Sequence, residues 1–309
     1  MKILKRSLAA WVVQQQSIPL SQACLLVSEP RSGSTWLMEM LSRTPGIVPN
    51  FEPLHPSRGV FPGELDLGDR PFLPPVQAAP DLQAAWEDAL TLNAANAWTM
   101  SHLSWSDLRA LRLVLTKSVR AVPLLPWLVR HIPLAYPPVF LLRHPIATCQ
   151  SMLRAFPEDL REGQVPLPSR LEGRLSEEDE QLWRTLRRPL YRRVMLWCLD
   201  NAPALSDPQV VHRSHQVFYE HLVLRPEQVL QQVMEVLELQ DYYEYVRSRA
   251  DFRKPSRTDF QRELVSTPER QLWKNIDVME AKEIDRIQTI LDHFGIRLYR
   301  ADDPLPQEG

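Results

Sequence analysis

The sequence predicts an α/β protein in which helices cover both faces of a central parallel β-sheet. Two segments carry this prediction, residues 24–43 and 138–156, because each has the pattern of an apolar strand, a tight turn and a helix. Short apolar runs also alternate with helical segments over the rest of the chain, as parallel sheets require. The 309 residues are enough for one large domain of this class or for two small ones.

The other elements follow from periodicity and from residues that begin or end helices. Short apolar runs predict strands at residues 139–142, 112–117 and 209–212, the last continuing toward Tyr219. Apolar spacing or composition predicts helices, and Gly295 is expected to cap the last one. These helices are expected over residues 82–97, 183–199, 226–237 and 280–294.

We expect a single domain over residues 1–309, with an N-terminal extension at 1–20 and a flexible tail at 302–309. The extension has basic residues before a short apolar stretch and so weakly resembles a secretory signal. It lacks a clear small-residue cleavage site, which favours a surface helix. Residues 49–75 and 157–180 are predicted to be long irregular loops, which in compact domains are usually functional lids or mobile insertions.

Composition excludes several classes of partner. The 36 basic and 38 acidic residues give a net charge of −2, so a nucleic-acid partner is not expected. No apolar run is long enough to span a bilayer. The three cysteines, Cys24, Cys149 and Cys198, are too widely spaced for a metal site or a disulfide framework. This usage favours a reducing compartment, and we expect a cytoplasmic protein.

The turn at residues 30–35 has the features of an anion-binding loop. It joins a predicted strand to a predicted helix, whose first N–H groups are unpaired and carry the positive end of the helix dipole. Gly33 allows a close approach of the backbone, and Ser34 and Thr35 add hydroxyl donors. Arg31 adds a fixed charge. The loop lacks the Gly-Lys-Ser/Thr ending of a Walker A motif, so it is not predicted to bind ATP in that manner.

A second anion site is predicted where the strand at residues 139–142 ends. Arg143 follows this strand directly, at the edge where open parallel sheets bind ligands. Ser151 lies eight residues further on, within the next helix, where its hydroxyl can reach an anion held by Arg143. Alone, Arg143 has the alternative role of a surface ion pair; the two predicted sites together favour a ligand with two anionic groups.

Taken together, these motifs resemble the sulfotransferases that use 3′-phosphoadenosine-5′-phosphosulfate (PAPS), and most closely their carbohydrate and bacterial branch. The resemblance spans roughly residues 24–298 and implies a P-loop NTPase-like three-layer fold. The segments that carry it are Pro30-Arg31-Ser32-Gly33-Ser34-Thr35-Trp36-Leu37, Glu52-Pro53-Leu54, Lys117-Ser118-Val119-Arg120, Leu142-Arg143-His144-Pro145 with Ser151, and Phe218-Tyr219-Glu220-His221-Leu222.

The resemblance implies a role for each matching residue. The 5′-phosphosulfate would be bound by the loop and the start of its helix, the 3′-phosphate by Arg143 and Ser151, and the adenine by Tyr219. The loop residues in question are Arg31, Ser32, Gly33, Ser34, Thr35 and Trp36. Arg253 and Lys254 are similar to a basic segment that helps to hold the 3′-phosphate in the cytosolic branch, although Pro255 replaces its glycine.

The general base is the open choice. Cytosolic sulfotransferases have a histidine where this chain has Val119, which cannot accept a proton. Carbohydrate and tyrosylprotein sulfotransferases use a glutamate after the first helix, and Glu52 matches that position. Its alternative role is a loop salt bridge or a cap, and His55 is a second candidate or a substrate contact. Arg31 and Lys117 would stabilise charge on the sulfuryl group and the bridging oxygen.

The sequence therefore predicts transfer of a sulfuryl group from PAPS to an acceptor hydroxyl, without a metal. The branch resemblance favours a carbohydrate or glycoconjugate acceptor; a small-molecule, lipid or peptide hydroxyl is the alternative. Two other functions stay open, a nucleotide kinase-like enzyme and a binding module without activity. The sequence does not indicate an oligomeric state.

Overall fold

The computed structural model describes residues 2–161, 163–252 and 267–307. The strands are β1 (Ala23–Ser28), β2 (Ile47–Phe51), β3 (Leu113–Ser118), β4 (Val139–Leu142), β5 (His215–Phe218), β6 (Tyr299–Arg300) and β7 (Asp303–Pro306). The helices are α1 (Lys2–Gln14), α2 (Ser34–Leu41), α3 (Pro80–Leu90), α4 (Trp105–Arg109), α5 (Leu125–His131), α6 (Pro145–Ala155), α7 (Glu177–Thr185), α8 (Pro189–Ser206), α9 (Pro208–Arg213), α10 (Tyr219–Leu224), α11 (Pro226–Val236), α12 (Tyr243–Arg247), α13 (Pro268–Trp273) and α14 (Ala281–His293).

The first five strands form one parallel sheet with the order β2-β3-β1-β4-β5. Every residue of the central strand β1 is buried, as expected for a strand covered on both faces. Cys24 and Leu26 of β1 face a core that includes α2 and α11, whereas Leu25 and Val27 face a core that includes α3 and α5. The predicted α/β fold, a parallel sheet between two helical layers, is confirmed.

The edge strand β2 was not predicted, because residues 49–75 were expected to be irregular from Pro49 onward. In the structure Pro49 lies opposite Leu115 of β3. Proline has no N–H for a strand ladder and is therefore tolerated mainly in edge strands. Asn50 is buried in β2 and donates hydrogen bonds to Ala89 O (2.9 Å) and Thr116 Oγ1 (3.0 Å). These bonds allow a polar residue within a strand that periodicity does not reveal.

The predicted strand at residues 209–212 is wrong, because these residues belong to α9. Asp207 caps this helix by accepting hydrogen bonds from Gln209 N (2.8 Å) and Val210 N (3.2 Å), and Pro208 occupies its first turn. The fourth predicted strand begins only at His215 and forms β5.

Two predicted helices have different bounds. The helix expected at residues 82–97 ends at Leu90, where Thr91 Oγ1 donates to Glu87 O (2.7 Å) and Leu92 takes a left-handed backbone (φ 62°). The helix expected at residues 183–199 is divided into α7 and α8. Pro189 begins α8, because proline has no N–H to donate to a preceding turn and its fixed φ suits the first turn of a helix.

Both ends of the described chain contact the body. Helix α1 packs Ala9, Ala10 and Val13 into a small core against β2 and β3. At the other end, β7 pairs antiparallel with β6, so the segment predicted as a flexible tail contains a short strand. Over the described ranges, no helix is long and apolar enough to cross a membrane.

Candidate functional site

Each of the five parallel strands ends beside one of the residues singled out in the sequence. Across the sheet these residues follow in the order Glu52 after β2, Lys117 in β3, Arg31 after β1, Arg143 after β4 and Tyr219 after β5. Parallel strands place their carboxyl ends at one edge, and neighbouring strands lie about 4.8 Å apart. The predicted residues therefore form a row about 19 Å long at that edge.

The loop between β1 and α2 has the backbone of a close-approach turn. Gly33 has a φ of 92°, in the region that favours glycine, and precedes the first residue of α2. A Cβ atom there would lie only 2.6 Å from Cδ2 of Tyr219, so the loop lies directly against this ring. Arg31 also has a left-handed backbone (φ 68°). Strain of this kind persists where the surrounding structure holds it, as at binding sites.

Contacts link the two predicted anion sites. Arg143 donates from Nη1 to the carbonyl oxygen of Arg31 (2.6 Å), and Arg31 donates from Nε to Ser151 Oγ (3.2 Å). The Arg143 guanidinium lies 4.2 Å from the centroid of the Tyr219 ring, a cation–π distance. The Trp36 ring meets the same tyrosine edge to face at 6.5 Å. The structure thus brings together the loop, Arg143, Ser151 and Tyr219, which the resemblance assigned to one ligand.

Several donors in this cluster are buried and have no hydrogen-bond partner among the residues that the structure describes. They are Ser32 Oγ, Trp36 Nε1 and Arg143 Nε. A buried donor without a partner costs about 1–3 kcal/mol, so such groups usually await an acceptor. The N–H groups at the start of α2 favour negative charge there as well. These residues fit a ligand with several anionic oxygens, as PAPS has.

Glu52, the candidate base, is buried and held by cations. Its Oε1 accepts a hydrogen bond from Lys117 Nζ (2.5 Å), and its Oε2 accepts from Val119 N (3.1 Å) and lies 3.5 Å from Arg120 Nη1. Its backbone is left-handed (φ 50°) and donates to Lys117 O (2.9 Å). The predicted alternative, a salt bridge, is therefore present. To accept a proton from an acceptor hydroxyl, Glu52 would use a remaining lone pair or exchange one of these contacts.

His55 N donates to Glu52 O (3.1 Å), but the ring of His55 contacts other residues. Its ring meets Trp98 edge to face at 5.2 Å, and its Nδ1 accepts a hydrogen bond from Ser57 N (3.3 Å). Burial and the nearby guanidinium of Arg120 lower the pKa of His55 below its usual value. A neutral imidazole at physiological pH can contact a substrate or accept a proton.

The sequence did not reveal a buried network of charges beside the loop between β1 and α2 (residues 30–35), which we call the donor loop. Glu29, two residues before Arg31, accepts hydrogen bonds from Arg70 Nη1 at both oxygens (2.8 and 2.7 Å). Asp200 of α8 accepts from Arg70 (2.6 Å) and from Arg170 (2.6 Å). Burial raises the pKa of the Glu29 carboxyl, although Arg70 opposes the shift. Arg70 belongs to the loop at 49–75 and Arg170 to the loop at 157–180. Asp200 therefore binds both loops to α8.

This network lines a cavity of about 160 Å³ next to the candidate site. Met152, the neighbour of Ser151, forms part of its wall. Asp69 also lines it and accepts from Arg120 Nε (2.7 Å), the arginine that contacts Glu52. Although burial would raise the pKa of Asp69, Arg120 lowers it below the usual value. Glu29 thus links the cavity to the loop that follows β1, and the Asp69–Arg120 pair links it to Glu52, although Glu52 itself does not line it.

A further buried carboxylate, Glu220, lies next to the end of β5. Glu220, which follows Tyr219, accepts from His144 N (2.8 Å) and from the Tyr299 hydroxyl (3.0 Å). Burial raises the pKa of Glu220 to about 7, against the effect of these bonds, and burial lowers that of His144 to about 4. His144 Nε2 lies 2.9 Å from the carbonyl oxygen of Arg300. These contacts attach the start of α6 to the C-terminal hairpin.

Two further predictions concern a basic segment and a metal. Arg253 and Lys254 lie outside the described residues. Within residues 2–161, 163–252 and 267–307, no group of three or more His, Cys, Asp or Glu side chains could hold a metal ion.

Comparison with solved structures finds sulfotransferases at low identity. Identity is 20% with a sulfotransferase domain from the curacin biosynthetic pathway, over 88% of this chain and 96% of that chain, with a TM-score of 0.46. The identity is 14% with a sulfotransferase from Alicyclobacillus acidocaldarius, over 87% of this chain and 96% of that chain, with a TM-score of 0.38. The identity is 12% with mouse sulfotransferase SULT7A1 complexed with PAP, over 91% of this chain and 90% of that chain, with a TM-score of 0.37.

Sequence comparison identifies the family. No curated protein matches the chain. The family model described as "Sulfotransferase family", in contrast, matches residues 24–244. This match extends from β1 to α12 and includes the whole parallel sheet and every strand end of the candidate site. The chain belongs to the sulfotransferase family and is a transferase.

Proposed function

We propose that this enzyme moves a sulfuryl group from PAPS to an acceptor hydroxyl and releases adenosine 3′,5′-bisphosphate (PAP). The observation that carries the proposal is the pair of linked arginines at two strand ends. Arg143 donates to the backbone of Arg31 while its Nε is buried without a partner among the described residues. A ligand with two anionic groups gives both arginines a charged acceptor.

Each residue of the cluster has a role in this proposal. The loop from Arg31 to Thr35 binds the 5′-phosphosulfate through its N–H groups, its hydroxyls and the Arg31 guanidinium. Arg143 and Ser151 bind the 3′-phosphate. Tyr219 keeps Arg143 in place through its ring, and the Trp36 and Tyr219 rings offer an apolar surface to the adenine.

Glu52 is proposed as the general base. PAPS supplies the sulfuryl group, whose bond to the phosphate oxygen breaks as its bond to the acceptor oxygen forms. Glu52 takes the proton of the acceptor hydroxyl, and Lys117 and Arg31 stabilise the negative charge that passes to the leaving phosphate. Lys117 can move from Glu52 toward that charge because its ammonium group is carried by a flexible side chain. We propose no metal for this reaction, since the arginines and lysine supply the positive charge.

The acceptor is proposed to be a carbohydrate or glycoconjugate, as in the branch that the motifs resemble. The cavity lined by Glu29, Arg70, Arg170 and Asp200 supports this choice. Carboxylates and guanidinium groups can exchange hydrogen bonds with a polyhydroxyl ligand. An apolar phenol or sterol would remove water from these charges without replacing its hydrogen bonds, at a considerable cost.

We also propose that the protein acts in the cytoplasm. The observation in support is that Cys24, Cys149 and Cys198 are all buried free thiols. Burial raises their pKa values well above the usual range, so they are packing residues rather than reactive thiolates.

The donor site is tested by binding. Arg143→Ala should weaken PAP binding at least about tenfold, as expected for loss of a charge-assisted bond worth about 1.5–3 kcal/mol. The same variant should bind AMP, which lacks the 3′-phosphate, as the wild type does. Isothermal titration calorimetry measures both. Equal losses for PAP and AMP would remove Arg143 from the 3′-phosphate site.

The reaction and the acceptor are tested by a sulfation screen. Wild-type enzyme with PAPS is offered sugars, lipids, phenols and peptides, and PAP release is measured. Glu52→Gln should retain PAP binding but lose turnover by about 10²–10⁴-fold. Normal turnover of Glu52→Gln would exclude it as the base, and a best acceptor without a sugar would refute the carbohydrate assignment. Tight PAP binding with no transfer to any acceptor would favour a binding module instead.

A further inference from the structure

Helix α1 exposes a row of large apolar side chains to solvent. Leu4 is 75% exposed, Leu8 53% and Trp11 59%, and their spacing of four and three residues places them on one face of the helix. Ile3 is 72% exposed at the start of the helix, on a different side from these three. These four are among the twelve exposed large hydrophobic residues in the described part of the chain. So dense an apolar surface usually marks an interaction site.

The opposite face of α1 is fixed to the protein, so the exposed row is not simply a helix that has failed to pack. Ala9, Ala10 and Val13 are buried in the core next to β2 and β3. Arg6 donates to Ser101 O (3.0 Å), and Gln14 donates to Ala95 O (2.7 Å). These contacts hold the helix along the body and direct Leu4, Leu8 and Trp11 outward.

The charge of this segment selects one kind of partner. Lys2 and Lys5 are basic, and the sequence has no aspartate or glutamate before Glu29; the guanidinium of Arg6 is engaged by Ser101 O on the side of the body. Lys5 is exposed beside the apolar row. Leucine and tryptophan beside basic residues are typical of helices that lie in the plane of a membrane surface. Anionic lipid headgroups attract the basic residues while the apolar side chains enter the boundary of the acyl chains.

We propose that the outer face of α1 (Leu4, Leu8 and Trp11) docks the enzyme onto a surface of anionic phospholipid. The helix lies parallel to the surface and does not cross the bilayer. A second copy of the chain suits this face less well, because pairing of two α1 helices would bring basic residues together without a carboxylate in either segment. The proposal does not depend on PAPS or on the acceptor.

The test is binding of the full-length wild-type protein to vesicles, measured by flotation. Vesicles of phosphatidylcholine with roughly one third phosphatidylserine are compared with vesicles of phosphatidylcholine alone. The wild type should float with the anionic vesicles only, and less in high salt. Leu8→Glu should reduce the bound fraction at least about tenfold. Val278→Glu is the matched control, because Val278 is 76% exposed on another part of the surface.

The remaining readouts separate the outcomes. The unfolding midpoints of Leu8→Glu and the wild type should agree, because Leu8 is exposed. Trp11→Phe should remove any blue shift of tryptophan fluorescence on vesicle binding. The proposal is overturned if the wild type does not bind anionic vesicles, or if Leu8→Glu binds as well as Val278→Glu. It is equally overturned if sedimentation shows that the face forms a dimer which Leu8→Glu dissociates.

Discussion

Replacement of Gly33 by alanine tests the geometry of the donor loop. The new Cβ would lie 2.6 Å from Cδ2 of Tyr219, whereas ordinary contacts begin at 3.4 Å, so the ring must move by about 0.8 Å. The φ of 92° adds strain for any residue with a side chain. Because Tyr219 supports the Arg143 guanidinium at 4.2 Å, the shift also reaches the proposed 3′-phosphate site.

The expected magnitudes follow from these two effects. The left-handed backbone costs about 1–2 kcal/mol for alanine, and the crowded ring costs about 1–3 kcal/mol more. Gly295→Ala is the matched control, because Gly295 has a φ of 65° and its added Cβ would meet no atom within 4 Å. A displaced ring weakens a cation–π contact worth about 0.5–2 kcal/mol, so PAP affinity should fall about two- to thirtyfold.

Denaturant unfolding and calorimetry with PAP measure these effects. Gly33→Ala should be less stable than Gly295→Ala by about 1–3 kcal/mol, and only Gly33→Ala should lose PAP affinity. Equal destabilisation of the two variants, with wild-type PAP affinity in both, would refute the close contact between the loop and Tyr219.

Two further predictions concern buried charge. Asp200→Asn should lower the free energy of unfolding by about 3–5 kcal/mol, because it breaks two buried ion pairs, whereas Asp159→Asn at a more exposed pair should cost about 1 kcal/mol or less; similar losses would contradict a stabilising network. Glu220 has a pKa raised to about 7 from 4.5, so the folded state binds its proton more tightly than the unfolded state. The stabilisation from protonated Glu220 is therefore fully present below pH 4.5 and is lost as the pH rises from 4.5 to 7. Over this range the free energy of unfolding of the wild type should fall by up to about 3 kcal/mol relative to that of Glu220→Gln. A constant difference between these two proteins across that range would refute the shift.

The local parts of the site could be predicted from the sequence. A strand, a turn and a helix follow from adjacent residues, and parallel strands share one carboxyl edge, so Arg31 and Arg143 were expected to lie near each other. The structure places them in contact. Their roles with PAPS stay predictions, as does the role of Glu52 as a base.

The rest depends on contacts between distant segments. Arg70 meets Glu29 and Asp200, which lie 41 and 130 residues away, and no local pattern indicates such partners. Strand β2 was hidden by Pro49, whose acceptance depends on its position at the sheet edge. The apolar run at 209–212 suits a strand or a helix equally well, and the cap by Asp207 decided between them.

The contact between Glu52 and Lys117 leads to a last prediction, that the two act as a unit. The atoms Oε1 and Nζ are 2.5 Å apart, and both side chains are buried. If Glu52 accepts a proton only when Lys117 moves toward the leaving phosphate, loss of either residue disables the same step. The turnover lost by the double variant Glu52→Gln/Lys117→Gln should then be close to that of the more damaging single variant.

The matched control is the pair Glu52 and Arg143, which lie at the ends of strands three positions apart in the sheet, about 14 Å. Residues so far apart without shared partners usually contribute independently, so the losses of Glu52→Gln and Arg143→Ala in kcat/KM should multiply to within a factor of about two. Turnover is measured as PAP release with the acceptor that gives the fastest rate. If the losses of Glu52→Gln and Lys117→Gln multiply in the same way, the salt bridge is only structural. Lys117 would then not control when Glu52 becomes free to accept the proton.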